Sequence, residues 1–420
     1  MEIKQAVIFC GGTGERLKPI TDSIPKPMVD VNGKPFLEHL INKLKANGIS
    51  EIVLLTGYKK EVIEDYFGDG LKFEIKIKYS RGPVKWLTAK RLWEARDLID
   101  NYFLLLYADN YVPFNLKKSI SFHLDKDKIL SFIVFSKPMK NNLKMDSDNN
   151  IVLYDETRQA DDLKYVELGY MIVNKKCILE FMDGSNISFS EIIKILVEKR
   201  EVAGLETKYN YHSISDIERL EKMRNYLANK KIILIDRDGV INKKPARGEY
   251  VLGKEDLILS EDSIKAMKRL SDEGFSFIII TNQLCVAKGL ISKDELANIH
   301  NHLLERLKEH GINILEIFHC PHGINEGCKC RKPNPGMLIE ACNKYSIIPH
   351  KTIFIGDDER DCLAAFRADV KSILIGEDYD LSLNLKYHKT YIEPDFSSKN
   401  LSEAVDFIIE KFEDKSEHEK

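Results

Sequence analysis

Short apolar runs alternate with amphipathic stretches along the chain, a pattern that predicts α/β architecture with mostly parallel strands. In the first half, residues 6–10, 51–55, 103–107 and 130–135 read as strands. Between the first two, Phe36, Leu37, Leu40, Ile41 and Leu44 recur at helical spacing. A polar, helix-like stretch at 216–229 leads into a second beginning at Lys230, where the alternation restarts. Its apolar runs are 232–235, 277–280, 314–318 and 352–355, and a last amphipathic helix is expected over about 398–412, before a charged tail. The pattern predicts two doubly wound, Rossmann-like domains in tandem, at 1–228 and 229–385, followed by a helix and tail at 386–420. No short repeat or low-complexity segment interrupts it.

Composition narrows the classes. A chain of 420 residues predicts two or three domains, and 43% hydrophobic against 31% charged residues is an ordinary globular balance. With 63 Lys and Arg against 66 Asp and Glu, the net charge of −3 gives no basic field for nucleic acid or an anionic membrane. The start lacks the apolar stretch of a signal peptide, and no apolar run approaches the ~18–20 residues that span a bilayer. The expected location is the cytoplasm. Of the eight cysteines, 320, 328 and 330 crowd together and the rest are scattered, which points to metal chemistry rather than a disulfide framework.

In the second half, three apolar runs stop at polar clusters: Asp236-Arg-Asp238-Gly-Val, Thr281-Asn282-Gln283 and Gly356-Asp357-Asp358. Carboxyl ends of parallel strands share one edge, where ligands bind, so Asp236, Asp238, Thr281 and Asp357 are expected to converge. Three carboxylates repel unless a hard cation such as Mg²⁺ neutralises them, and Lys332 adds a charge suited to phosphate. A phosphate, a magnesium ion and a carboxylate able to attack phosphorus describe a phosphotransfer site. Cys320-Pro-His322 and Cys328-Lys-Cys330 are two tight pairs five residues apart. Three thiolates and an imidazole make the closed tetrahedral set that structural Zn²⁺ prefers, placed directly before Arg331 and Lys332.

These motifs, with Arg331-Lys332-Pro and the last one continued to Asp361, resemble those of haloacid dehalogenase-type phosphatases over about 230–376, in the group holding heptose-bisphosphate and histidinol phosphatases. The resemblance implies Asp236 as nucleophile and Asp238 as acid and base. It also implies Thr281, Asn282, Arg331 and Lys332 around the phosphate, with Asp236, Asp238 and Asp357 about Mg²⁺. The short Gly323–Gly327 loop looks like histidinol phosphatase, whereas Pro333-Asn-Pro-Gly-Met337 looks like the heptose enzymes.

The opening strand runs into Gly11-Gly12-Thr13-Gly14-Glu15-Arg16-Leu17, a turn whose N–H groups can approach phosphate oxygens. It is followed by Pro25-Lys26-Pro27-Met28, where two prolines fix the backbone around one lysine. Together the segments are similar to the signature of sugar-1-phosphate nucleotidyltransferases, nearest to mannose- and heptose-1-phosphate guanylyltransferases, over about 1–226. The resemblance implies Gly11, Gly12, Gly14, Arg16 and Lys26 on a nucleoside triphosphate, Asp109 on Mg²⁺, and Glu167 and Gly169 facing the sugar. Three features depart from it. Lys85-Trp-Leu-Thr-Ala-Lys90 carries Leu87 and Lys90 where glycines are usual. Ser213 stands where a second metal aspartate is usual, with Asp216 three residues on, and Glu156-Thr157 replaces the lysine often found before the sugar loop.

Three readings of the whole chain follow. The first is a bifunctional enzyme of activated-heptose synthesis, releasing phosphate from a D-glycero-D-manno-heptose 1,7-bisphosphate-like sugar and joining the sugar 1-phosphate to a nucleotide, guanylyl by resemblance. The second is a phosphatase with a nucleotide- or sugar-phosphate-binding first domain, and the third a histidinol-phosphate phosphatase.

Overall fold

The computed structural model describes residues 1–246, 248–376 and 392–413. The chain divides into two compact units, Met1–Ala228 and Asn229–Lys420. The expected charged tail beyond residue 413 lies outside the described residues.

The first unit holds a nine-stranded sheet. Its opening strand, Gln5–Cys10, is buried throughout and lies between Glu51–Thr56 and Tyr102–Tyr107, parallel to both. A strand buried on both faces reads as a continuous apolar run, which is why these segments stand out in the sequence. Helix Phe36–Ala46 covers the sheet and buries the five apolar residues whose spacing predicts it. Tyr165–Asn174 pairs antiparallel with Tyr102–Tyr107 and Leu130–Ser136, so one half of the sheet departs from the parallel pattern.

The second unit is built on six strands in the order Ile314–Cys320, Ser276–Asn282, Ile232–Ile235, Ile353–Gly356, Lys371–Ile375 and Phe396–Ser398, all parallel. Its first strand again lies centrally, with the chain running to one side and then to the other. In both units this creates a topological switch point, and the carboxyl ends of the opening strand and its two neighbours face one crevice. The segment set apart at 386–420 contributes helix Leu401–Glu413 to the second unit. Leu401, Val405, Ile408 and Phe412 enter its core, and the Phe412 ring meets Phe275 edge-on at 4.9 Å. No helix among the described residues is long and apolar enough to cross a membrane.

Candidate functional sites

In the second unit, Asp236 leaves the central strand with its N–H donating to Ile355 O at 2.8 Å. The following turn closes against Asp357. Gly239 has φ +89°, and a Cβ there would stand 1.9 Å from Asp357 Oδ2, so no other residue allows this approach. Asp236, Asp357 and Asp361 bring one carboxylate oxygen each within 4.8 Å of the others. Lys332, 3% exposed, uses all three N–H donors: Asp236 Oδ1 at 2.8 Å, Asp361 Oδ1 at 2.8 Å and Ile280 O at 3.0 Å. Asn282 clamps the Lys332 backbone, accepting from its N–H at 3.0 Å and donating to its carbonyl at 3.1 Å.

One buried ammonium does not balance three carboxylates. Burial, with the charges of Asp361 and Asp357, lifts the Asp236 carboxyl to about 8 despite Lys332. Burial and Asp361 lift Asp357 to about 6 against the pull of Lys244, whose Nζ lies 2.7 Å from Asp357 Oδ2. Burial pulls Lys332 down, but Asp236 and Asp361 outweigh it and hold it above its ordinary value. This excess of negative charge is what a divalent cation relieves. The Asp236 backbone neighbour Arg237 N and Lys332 Nζ both bond Oδ1, which leaves Oδ2 as the oxygen available to a substrate among the described residues.

Asp361 ends the motif that opens at Gly356, and the sequence assigns it no role. It does two jobs: Oδ2 accepts from Asp358 N at 3.2 Å in the capping box of helix Glu359–Arg367, and Oδ1 meets Lys332. The spacing Asp358-x-x-Asp361 is a helix-start signal. It does not disclose the second contact. Asp238, expected among the metal ligands, is turned elsewhere. Its carboxylate is held by Arg237 Nη2 at 2.9 Å to each oxygen, by Asn242 Nδ2 at 3.0 Å and by Gln283 Nε2 at 3.1 Å. Thr281, 1% exposed, accepts from the same Gln283 Nε2 at 2.9 Å. Arg331 Nη1 donates to His322 O at 3.4 Å, on the cysteine–histidine loop.

Cys320, His322, Cys328 and Cys330 form a second cluster. Cys320 Sγ lies 3.6 Å from His322 Nδ1 and from Cys328 Sγ, and 3.4 Å from Cys330 Sγ, while His322 Nδ1 lies 3.2 Å from Cys330 Sγ. Tetrahedral bonds of ~2.1–2.3 Å require donors roughly 3.4–3.8 Å apart, so the set fits one such ion with small adjustment. Asn334 Nδ2 donates to Cys328 O at 2.8 Å and Gly336 N to Lys329 O at 3.1 Å, tying the loop to the segment that carries Lys332.

In the first unit, a cavity of about 590 Å³ is lined by Gly11, Gly12, Gly14, Arg16, Lys26 and Asp109, with Val84, Trp86 and Leu87 at its apolar side. Lys26 Nζ bonds Asp109 Oδ2 at 2.8 Å, whereas Arg16 is exposed. Arg91, unremarked in the sequence, organises the wall. Its buried guanidinium donates to Thr56 O at 2.7 Å, Pro83 O at 2.8 Å and Trp86 O at 3.0 Å. It lies so close to the glycine turn that a Cβ on Gly11 would meet its Cζ at 2.3 Å. Leu87 and Lys90 are accommodated because Thr88–Glu94 is helical, with Leu87 exposed and Lys90 paired to Glu94 at 2.6 Å.

Glu167 Oε2 accepts from Gly169 N at 3.1 Å. Burial, then the charge of Asp109, lifts its carboxyl to about 7. Gly169 packs on Tyr107, itself part of the cavity wall. Ser213 pairs with Asn110 beside Asp109, and its Oγ accepts from Ser215 Oγ at 3.1 Å and Arg219 Nη1 at 3.3 Å. Asp216 caps helix Ile217–Leu227, accepting from Arg219 N at 2.9 Å.

Comparison with known proteins agrees with this division. Residues 5–199 match the nucleotidyl transferase family model, and 329–404 match the HAD-hydrolase-like model. The chain is 39% identical over 147 residues to a D-glycero-alpha-D-manno-heptose-1,7-bisphosphate 7-phosphatase of Photorhabdus laumondii, covering 33% of this chain and 79% of that one. It is 34% identical over 184 residues to a D-glycero-beta-D-manno-heptose-1,7-bisphosphate 7-phosphatase of Helicobacter pylori, covering 43% and 99%. It is 30% identical over 222 residues to a probable glucose-1-phosphate cytidylyltransferase of Bacillus subtilis, covering 47% and 86%. The chain belongs to the nucleotidyltransferases through its first half and to the HAD-type phosphatases through its second.

Proposed function

We propose that the chain is a two-site enzyme of activated-heptose synthesis: a phosphatase acting on a heptose 1,7-bisphosphate and a nucleotidyltransferase acting on the resulting sugar 1-phosphate. The observation that carries the first activity is the buried Asp236, flanked by Asp357 and Asp361 and anchored by Lys332. Asp236 Oδ2 attacks phosphorus while the bond from phosphorus to the sugar oxygen breaks, and Asp238 gives that oxygen its proton. Asp238 then takes a proton from water, whose oxygen attacks the aspartyl-phosphate, releasing phosphate and restoring both acids. Thr281 donates to a phosphoryl oxygen, and Lys332 reaches another by exchanging one of its carboxylate contacts. Asp236, Asp357 and Asp361 would hold Mg²⁺, which would supply charge neutralisation at the phosphoryl group. Cys320, His322, Cys328 and Cys330 would hold Zn²⁺, which would brace the loop that leads into Arg331 and Lys332.

In the first unit, Arg16, Lys26 and the Gly11–Gly14 backbone would bind the triphosphate, with Asp109 holding Mg²⁺. A phosphate oxygen of the sugar attacks the α-phosphorus and pyrophosphate leaves, chiefly through positioning and charge stabilisation. The Lys26–Asp109 contact supports a site in which both residues serve one group. A second reading is favoured by one observation: Ser213 is engaged by Arg219, and Asp216 is spent on a helix cap. Neither sets a second carboxylate beside Asp109, as a domain that binds without turnover would allow. Purified protein incubated with heptose bisphosphates and each nucleoside triphosphate, with phosphate and pyrophosphate followed separately, decides between them. Phosphate and pyrophosphate together support the two-site enzyme. Phosphate alone supports the second reading, and neither removes both.

A further inference from the structure

Gln283 closes the strand end that carries Thr281 and is 3% exposed. Its side-chain amide is saturated. Nε2 donates to Thr281 Oγ1 at 2.9 Å and to Asp238 Oδ2 at 3.1 Å. Oε1 accepts from Arg237 Nη2 at 3.2 Å and lies 3.6 Å from the Cys285 thiol. Turning the amide over would set Oε1 against the Asp238 carboxylate and Nε2 against a guanidinium, so the surroundings fix its orientation. Its backbone is fixed too, because Gln283 N donates to Cys320 O at 2.8 Å, at a residue of the cysteine–histidine cluster.

This arrangement has a directional consequence. A threonine hydroxyl that accepts from Gln283 keeps its own hydrogen to donate elsewhere. The other N–H of the same nitrogen holds Asp238 in a fixed place beside Arg237. One buried amide therefore sets a donor for the phosphoryl oxygens and a carboxyl for the leaving oxygen.

We propose that Gln283 is a positioning residue of the phosphatase reaction, aiming the Thr281 hydroxyl at the phosphoryl group and holding Asp238 for proton transfer. The inference rests on the reading of Asp236 as nucleophile and Asp238 as acid given above. It also gives the cysteine–histidine cluster a route to the chemistry, through the Cys320 carbonyl and the Gln283 backbone.

The test is Gln283→Met, similar in length but without polar atoms, assayed on a heptose 1,7-bisphosphate and on p-nitrophenyl phosphate. The nitrophenolate leaves without needing a proton, so misplacing Asp238 harms the sugar substrate far more. The expected loss in kcat/KM is about 100-fold on the bisphosphate and less than about 10-fold on the aryl ester, with inhibition by inorganic phosphate weakened about tenfold. Gln283→Glu, close to isosteric, serves if the Met variant does not fold, with the same selective loss expected. Melting temperature and zinc content identify the folded variants. Equal losses on both substrates, or none, in a folded variant overturn the proposal. Asp238→Asn separates the two claims. A steep leaving-group dependence there beside a flat one for Gln283→Met removes the role of Gln283 alone, whereas a flat one for Asp238→Asn removes the acid assignment beneath it.

Discussion

The two units build their crevices alike, at the carboxyl ends of a central opening strand and its neighbours, yet they hold their charges in opposite ways. In the second unit Asp236, Lys332, Thr281, Gln283 and Arg237 are all at most 7% exposed and cross-linked by hydrogen bonds. In the first, Arg16 is exposed and the Lys26–Asp109 pair remains 15% and 30% accessible. A buried network pays its ordering entropy during folding and meets its substrate already arranged, whereas an open one is ordered by the ligand. Side-chain substitutions should therefore act mainly on turnover in the second site and on binding as well as turnover in the first.

The largest effect tests the pre-arranged site. Asp236→Asn should lower phosphate release by at least about 10³-fold while pyrophosphate release is retained, because the amide is nearly isosteric but does not attack phosphorus. Phosphate release near the wild-type rate from folded protein would remove the nucleophile assignment. Lys26→Ala should do the converse. Pyrophosphate release falls about 10²–10³-fold, with a raised KM for the nucleotide and unchanged phosphate release. A normal KM would break the contrast drawn between the sites.

Cys330→Ser sharpens the comparison from the side of the loop. Metal analysis of the wild type should give one zinc per chain; the variant should lose it, reduce phosphate release about 10–100-fold by displacing Lys332, and leave nucleotide binding unaltered. A variant that loses the metal and keeps full phosphatase activity would detach the cluster from the site.

The pH dependence follows from the crowded carboxylates. Asp236 and Asp357 hold protons up to about 8 and about 6 in the folded, metal-free protein, but release them near 3.8 when unfolded. The folded state thus binds more protons across this range, and stability falls as pH rises from about 4 to about 8. If only about 2 kcal/mol of this survives relaxation, the melting temperature falls by about 4–8 °C. Saturating Mg²⁺ should flatten the slope, and so should Asp236→Asn without Mg²⁺. Calorimetry showing the same slope in all three would mean that the carboxylates are not coupled as described.

The smallest effect is expected from Ser213→Asp. Arg219 Nη1 already reaches Ser213 Oγ and would pair with the new carboxylate. Pyrophosphate release should change only a few-fold, and more when Arg219→Ala is added. A large gain from the single change would show that a second carboxylate is the only thing the first site lacks.

How much of this was legible in the chain depended on the range of the interactions. The apolar runs disclosed the strands because a doubly covered parallel strand needs continuous hydrophobic residues, and Ile232–Ile235 is found with the expected bounds. The polar clusters ending those runs, the close Cys and His pairs and the Pro-Lys-Pro segment announced their chemistry because residue type and local spacing suffice for it. Antiparallel Tyr165–Asn174 was not separated from its surroundings, since Glu167 and Gly169 interrupt its apolar run.

Side-chain direction and long-range pairing were decided only by the fold. Asp238 carried the right residue type for a metal ligand, but Arg237, Asn242 and Gln283 turn it aside. Asp361 stands in a motif legible in the sequence, but its pairing with Lys332, distant in sequence, came only with the fold. Arg91 meets Gly11 across 80 residues, and Gln283 meets Asp238 across 45. Most strands, the candidate catalytic residue types and the spacing of the Cys and His pairs were readable from the chain alone, because hydrophobic periodicity and local motifs are properties of neighbouring residues. The fold alone shows which carboxylates crowd together, which amide holds Asp238 and which arginine supports the glycine turn. Each of those contacts requires two distant segments to be brought within about 3 Å and shielded from water, where a hydrogen bond becomes directional and costly to leave unmade.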